Sequence, residues 1–144
     1  MPLHLVKLCV GVSEPGELAE WQKRRWNDAK KAGRKPECRH ITRNVPRRSE
    51  EILDGGSLYW VIKGVIRVRQ RIVGIKPVVV DGEPRCKLML DRKLVRVTPR
   101  PMRAFQGWRY LEAANAPPDL DALGKGAADM PPRMVEELRE LGLL

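Results

Sequence analysis

Lys63, Arg67, Arg69 and Arg71 fall on alternate positions of one stretch, Leu58 to Val73. In extended chain, residues two apart are separated by ~6.6 Å on one face. That is close to the phosphate spacing of an extended single strand, so the row suits a nucleic-acid backbone. Arginine adds bidentate donors for phosphate and a flat group that stacks on bases. The same row also fits a solvated outer face whose charges blunt aggregation. One of its arginines could instead pair inward with Glu50, Glu51 or Asp54.

A second segment mixes cations with rings: Arg100-Pro-Met-Arg103-Ala-Phe-Gln-Gly-Trp108-Arg109-Tyr110. Stacking at Trp108 or Tyr110, flanked by Arg100, Arg103 and Arg109, is one use of that mixture. Plugging one end of a small barrel is the other. Cys38 and His40 share a strand face, whereas Cys9 and His4 point to opposite faces of a regular strand. No ligand-pair spacing for zinc is present, so no metal or other cofactor is expected. A Cys–His nucleophile and base would need further support, and a buried cysteine acting as a small apolar residue is the simpler reading. No nucleophile elbow, P-loop or dinucleotide GxGxxG motif appears, and no catalytic residue is assigned. Asp54-Gly55-Gly56-Ser57 offers backbone donors for an anion, or a plain helix C-terminal turn.

These residues sit in 144 positions, the size of one domain, with 42% hydrophobic and 32% charged residues. That composition supports a packed core. The 12 Gly and 12 Pro point to many turns rather than a helical bundle. No run of ~18 apolar residues exists, so no spanning helix and no membrane partner are expected. Three cysteines without a CxxC pair favour a reducing, cytoplasmic setting over a disulfide framework.

The net charge of +10 is unevenly spread. Residues 1–48 hold twelve Lys/Arg against five Asp/Glu, and residues 49–111 hold thirteen against six. Residues 112–144 reverse the sign, with three against seven. A basic body suits a polyanion, because neutralising phosphates releases condensed counterions.

The elements follow from period and punctuation. Leu3 to Val12 reads as a central strand, apolar on both faces. Ser13 caps a helix from Pro15 to about Ala32, stopped by Gly33, with Leu18, Ala19, Trp21, Trp26, Ala29 and Ala32 inward. Cys38 to Arg43 is a second strand. Ser49 to Leu53 is a short helix ended by Gly55-Gly56. Leu58 to Val73 alternates an apolar even row (Trp60 included) with the basic odd row, and Gly64 marks a bulge or sharp bend in one long strand. Val78–Val80, Asp81-Gly82 and Arg85–Leu90 form a hairpin. Leu94 to Thr98 is a further strand, and Phe105–Leu111 is strand or loop. Ala116-Pro-Pro closes a single domain of residues 1–118. Residues 119–144 are a linker and an amphipathic helix with Met134, Val135, Leu138 and Leu141 on one face. The expected fold is α+β: a small, partly open, mostly antiparallel barrel with one long N-terminal helix and short flanking helices.

Three segments resemble a bacterial family known as domain of unknown function 1489. They are Leu3-His-Leu-Val-Lys-Leu-Cys-Val-Gly11, Leu53-Asp-Gly-Gly-Ser-Leu-Tyr-Trp-Val-Ile-Lys-Gly-Val-Ile-Arg67 with its continuation to Ile72, and Phe105-Gln-Gly-Trp-Arg-Tyr-Leu111. The likeness covers about residues 1–120, leaves the acidic tail outside, and implies no activity. By topology alone, the order helix, Gly-Gly turn, long bent strand and hairpin also resembles PUA-like domains, small barrels that often bind RNA.

The reading is a non-catalytic nucleic-acid-binding module, RNA or single strands favoured. The expected contacts are Lys63, Arg67, Arg69, Arg71, Arg100, Arg103, Trp108, Arg109 and Tyr110. A protein-interaction or self-association module docking through residues 133–144 is the alternative. An enzyme acting on a nucleotide or phosphorylated substrate is the third.

Overall fold

Leu3 to Leu8 is apolar without alternation because both of its faces are covered. In the computed structural model, which describes residues 2–120, this segment forms β1 (His4–Leu8). Pro15 then sets the first turn of α1 (Pro15–Lys31). Glu14, not Ser13, holds the N-cap position, and the Glu17 carboxylate accepts the Ser13 N–H at 3.3 Å. The buried stripe of α1 is narrower than expected. Leu18 is buried and Gln22, Trp26 and Ala29 are half-buried, while Trp21 is 46% exposed. A polar residue takes the inward position because its hydrogen bonds are met there.

The remaining elements are β2 (Arg39–Thr42), α2 (Ser49–Leu53), β3 (Ser57–Ile62), β4 (Val65–Val80), β5 (Glu83–Leu90), β6 (Val95–Pro101), β7 (Trp108–Leu111) and a 3₁₀ turn at Ala113–Asn115. They make an α+β architecture of one seven-stranded sheet with two helices. The strand path is β2-β5-β4-β3-β1-β7, with β6 paired to β4. Among the described strands only the β1–β3 pair is parallel. The sheet is open, with β2 and β7 at the two ends of its path. No helix among the described residues is long and apolar enough to cross a membrane. The helix expected over residues 133–144 lies outside the described residues.

Leu58 to Val73 is a hairpin, not one bent strand. Lys63 and Gly64 turn the chain with φ of 49° and 75°, a pair of left-handed residues that matches the twist of the flanking strands. Such a two-residue turn pairs Ile62 with Val65 and Val61 with Ile66. Even positions of β4 should therefore pair with odd positions of β3 and fall on the face away from its even row. Arg67 is an extra, bulged residue, so Trp60 pairs with Val68 and the parity is restored.

Two apolar clusters result, one on each face. The first joins Leu5, Leu58, Trp60, Ile62, Val68 and Ile72 beneath α1, α2 and β5. The second joins Val6, Tyr59, Val61, Ile66, Val97 and Leu111, with Met102 and Phe105 packed against it. The odd row is therefore covered in its middle, at Tyr59, Val61 and Arg67, and open to water only at Lys63, Arg71 and Val73. Gly56 sits where α2 meets β1; a Cβ there would lie 2.2 Å from the Leu3 carbonyl oxygen.

Candidate nucleic-acid interface

The fold disperses the residues read as phosphate contacts. Lys63 is exposed in the β3–β4 turn. Arg71 is exposed further along β4, and Val65 to Arg71 spans about 20 Å of strand. Between them Arg67 is only 8% exposed, and its Nε has no hydrogen-bond partner. Arg69 gives Nε and Nη2 to the two Asp119 carboxylate oxygens, both at 2.7 Å, and Nη1 to the Ser57 hydroxyl at 3.0 Å. The row does not persist as a line of open guanidinium groups, because the bulge turns Arg67 inward and Asp119 engages Arg69.

The second segment divides as well. Arg100 donates to the Asn115 carbonyl. Arg103 is exposed, next to Met102, whose N–H reaches the Gly64 carbonyl at 2.9 Å. Arg109 lies 4.8 Å over the Phe105 ring, on the side of the second cluster. Trp108 and Tyr110 alternate to the other side, their rings 5.0 Å apart. Trp108 donates its indole N–H to the Asn44 carbonyl at 2.9 Å, and the Tyr110 hydroxyl accepts the Arg48 N–H at 3.2 Å. Both rings brace the loop that leads into α2.

The densest basic surface is built by α1 and β2. Residues 23–39 carry eight Lys/Arg against two Asp/Glu. All eight, Lys23, Arg24, Arg25, Lys30, Lys31, Arg34, Lys35 and Arg39, are exposed. Among the described residues only Arg39 comes within 4 Å of a carboxylate, Glu37 at 3.9 Å. A groove of about 240 Å³ runs between α1 and β2, lined by Arg25, Arg34, Lys35 and Arg39 with Asp28 and Glu37. Glu37 is itself held by Lys87 at 2.7 Å, a hydrogen bond that keeps its carboxyl below the usual value. Two rings flank this surface. The Arg25 guanidinium lies 4.7 Å over exposed Trp21, and Arg92 lies 3.8 Å over half-buried Trp26. Both tryptophans were expected in the core. Trp21 stays outside because the stripe Leu18-Gln22-Trp26-Ala29 already fills the contact with the sheet.

A polar cluster ties α1 to the sheet beside this groove. Gln70, fully buried, accepts from Gln22 Nε2 at 2.8 Å and from the Trp60 indole at 2.9 Å. Its own Nε2 donates to Gln22 Oε1, the Asp91 carbonyl and Cys38 Sγ. Burial holds the Cys38 thiol above its usual value, so it is not an activated thiolate. His40 packs edge-on against Trp60 with 5.0 Å between ring centroids, and its Nε2 has no partner. Burial, then Lys7 and Arg25, push its imidazole down to about 4. Among the described residues no hydrogen bond joins Cys38 to His40, and no three His, Cys, Asp or Glu side chains gather as metal ligands.

A family model described as "Protein of unknown function (DUF1489)" matches residues 5–144. The chain belongs to this family. The match runs to the last residue, so the acidic segment expected to lie outside DUF1489 is part of it. No curated protein and no solved structure matches the chain significantly. For this DUF1489 member, the basic groove is the feature that reading the residues overlooked. Its signal, eight cations within seventeen positions, was present in the sequence.

Proposed function

We propose that this chain is a non-catalytic module that binds RNA or another single-stranded nucleic acid along the α1–β2 surface. One observation carries the reading: eight exposed cations run along α1, the loop after it and the start of β2, nearly all without an acidic partner among the described residues; four of them, Arg25, Arg34, Lys35 and Arg39, line a groove, and Arg25 stacks on exposed Trp21. Lys23 to Lys31 covers about 12 Å of helix axis, which reaches two successive phosphates of an extended strand. Trp21, already paired with Arg25, offers a ring for base stacking. Lys63, Arg71 and Arg103 lie apart from this surface and would add only a diffuse field. Of the order that resembles PUA-like domains, α1, Gly55-Gly56 and the β4–β5 hairpin remain, with a β3–β4 hairpin in place of the long bent strand; they support a PUA-like barrel, and with it RNA, by analogy alone. Three free cysteines support a reducing, cytoplasmic setting.

The test is fluorescence anisotropy with mixed-sequence single-stranded RNA across salt from about 50 to 200 mM. Arg25, Arg34, Lys35 and Arg39 are replaced together by Ser. Lys63, Arg71 and Arg103 are replaced together in a control. Binding that falls steeply with salt and is lost in the first variant supports the reading. No complex at low salt, or equal loss in both variants, removes it.

A further inference from the structure

The cleft above Arg69 lies on the face of the second apolar cluster, formed by groups that the α1–β2 surface does not use. Its floor comes from three adjacent central strands. Tyr59 on β3 stands directly opposite Arg69 on β4, and the His4 ring on β1 packs edge-on against Tyr59 with 5.0 Å between centroids. His4 and Ser57 are buried, and His4 Nδ1 accepts the Ser57 N–H at 3.0 Å. Burial, then Arg69, keeps that imidazole below its usual value. The remaining ring nitrogen of neutral His4 therefore carries its proton and is a donor. The floor thus offers the Arg69 charge, the His4 N–H and the hydroxyl protons of Tyr59 and of Ser57, whose oxygen accepts from Arg69. The space measures about 330 Å³, larger than one carboxylate needs.

Among the described residues one anion lines the cleft, and it arrives from outside the floor. Asp119 follows Pro117-Pro118 and reaches Arg69 from the segment that walls the cleft. Arg69 holds its carboxyl below the usual range. Among the described residues the segment's backbone makes few hydrogen bonds, the Thr98 N–H to the Pro118 carbonyl at 2.8 Å and a single bridge joining Val97 to Asp119, while the side chains of Pro117 and Leu120 are buried. The two side chains remain 24% and 33% exposed, so solvent and small ions reach the pair.

We propose that this cleft is a binding site for a carboxylate or phosphate group, and that Asp119 occupies it in cis as a displaceable stand-in. A bidentate fork, a fixed hydroxyl and a neutral imidazole donor are the equipment for a planar or tetrahedral oxyanion. Tethering gives Asp119 a millimolar effective concentration, so an incoming anion must bind well enough to exceed that. Its arrival would free the Asp119 carboxylate from Arg69, while buried Pro117 and Leu120 keep the segment on the fold.

The experiment uses the full chain with Asp119→Ala, compared with wild type and with Arg69→Met/Asp119→Ala. Each is melted in chloride, acetate and inorganic phosphate at matched ionic strength. The expected result is a Tm rise for Asp119→Ala of about 4 °C at ten times Kd in phosphate, acetate or both. Wild type and the double variant should show only the smaller, general effect of the salt. A rise with both anions defines a general oxyanion site, and a rise with phosphate alone defines a phosphate site. Equal responses in Asp119→Ala and the double variant overturn the proposal. If Asp119→Ala does not fold, wild type is titrated with both anions while its amide resonances are followed. Shifts at Ser57, Thr98 and Asp119 support the proposal, and none at tens of millimolar overturns it.

Discussion

Gln22 and Gln70 form a closed amide pair between α1 and β4. Gln22 Nε2 donates to Gln70 Oε1 at 2.8 Å, and Gln70 Nε2 donates back to Gln22 Oε1 at 2.9 Å. The pair is the polar tie between the helix that carries the basic surface and the sheet beneath it. Replacing Gln70 with Leu strands the Gln22 amide, the Trp60 indole and the Asp91 carbonyl together. The expected cost is about 2–4 kcal/mol, read from urea denaturation. Gln22→Leu/Gln70→Leu should cost less than the sum of the single changes, because each removes the other's orphan. Additive losses would show that the pair does not act as a unit.

Gly56→Ala should destabilise by about 3 kcal/mol or more, measured in the same way. The added methyl meets the carbonyls of Leu3 at 2.2 Å and Ile52 at 2.4 Å. Both are backbone atoms and neither can swing aside. An alanine variant of unchanged stability would show that α2 does not close on β1 as described.

Lys63→Asn should stabilise by about 1 kcal/mol, because asparagine adopts the left-handed conformation more readily than lysine. Lys63 holds φ at 49° immediately before Gly64. The gain is read from thermal melts, and nucleic-acid affinity should change little. A loss of stability would contradict the turn.

Acid should weaken the fold through His40. Its folded pKa is about 4, against 6.5 for the free side chain. Between those values the unfolded chain binds more protons, so stability falls as pH drops from 6.5 toward 4, and this contribution is complete above 6.5. The full effect is about 3 kcal/mol. His4, lowered by burial and Arg69, acts in the same direction. His40→Leu should flatten the slope of stability against pH in this window. An unchanged slope would mean that other groups set it.

Replacing Arg25, Arg34, Lys35 and Arg39 by Ser should reduce the slope of log affinity against log salt by about 3, since each phosphate contact on a single strand contributes roughly 0.7. These exposed cations, of which only Arg39 has an acidic neighbour among the described residues (Glu37 at 3.9 Å), carry little of the fold, so the variant's melting should stay close to wild type. A slope unchanged by four lost charges would place the contacts elsewhere.

Much of the chain was legible because its signals are local. Pro15 and Gly33 bracket α1, Asp81-Gly82 turns β4 into β5, and Ser49 to Leu53 forms the short helix. The even row Leu58, Trp60, Ile62, Val68 and Ile72 does line one cluster. It does so because a turn at Lys63-Gly64 and a bulge at Arg67 each reverse the parity, and the two reversals cancel. A single long strand and this bulged hairpin produce the same alternation. Only Ile66, lying between the two reversals, betrays the difference by joining the other face. In α1, periodicity placed Trp21 inward, yet Gln22 took that position because Gln70 was there to meet it.

Residue order by itself determined the excess of positive charge, its dense run over residues 23–39, the turns and most element boundaries, since these depend on neighbours along the chain. Tertiary structure alone decided which cations remain open to a ligand. Arg69 and Asp119 are separated by 50 positions and Gln22 and Gln70 by 48. Whether such groups meet depends on how distant segments pack, and that same packing buried Arg67 while leaving Arg25, Arg34, Lys35 and Arg39 in water.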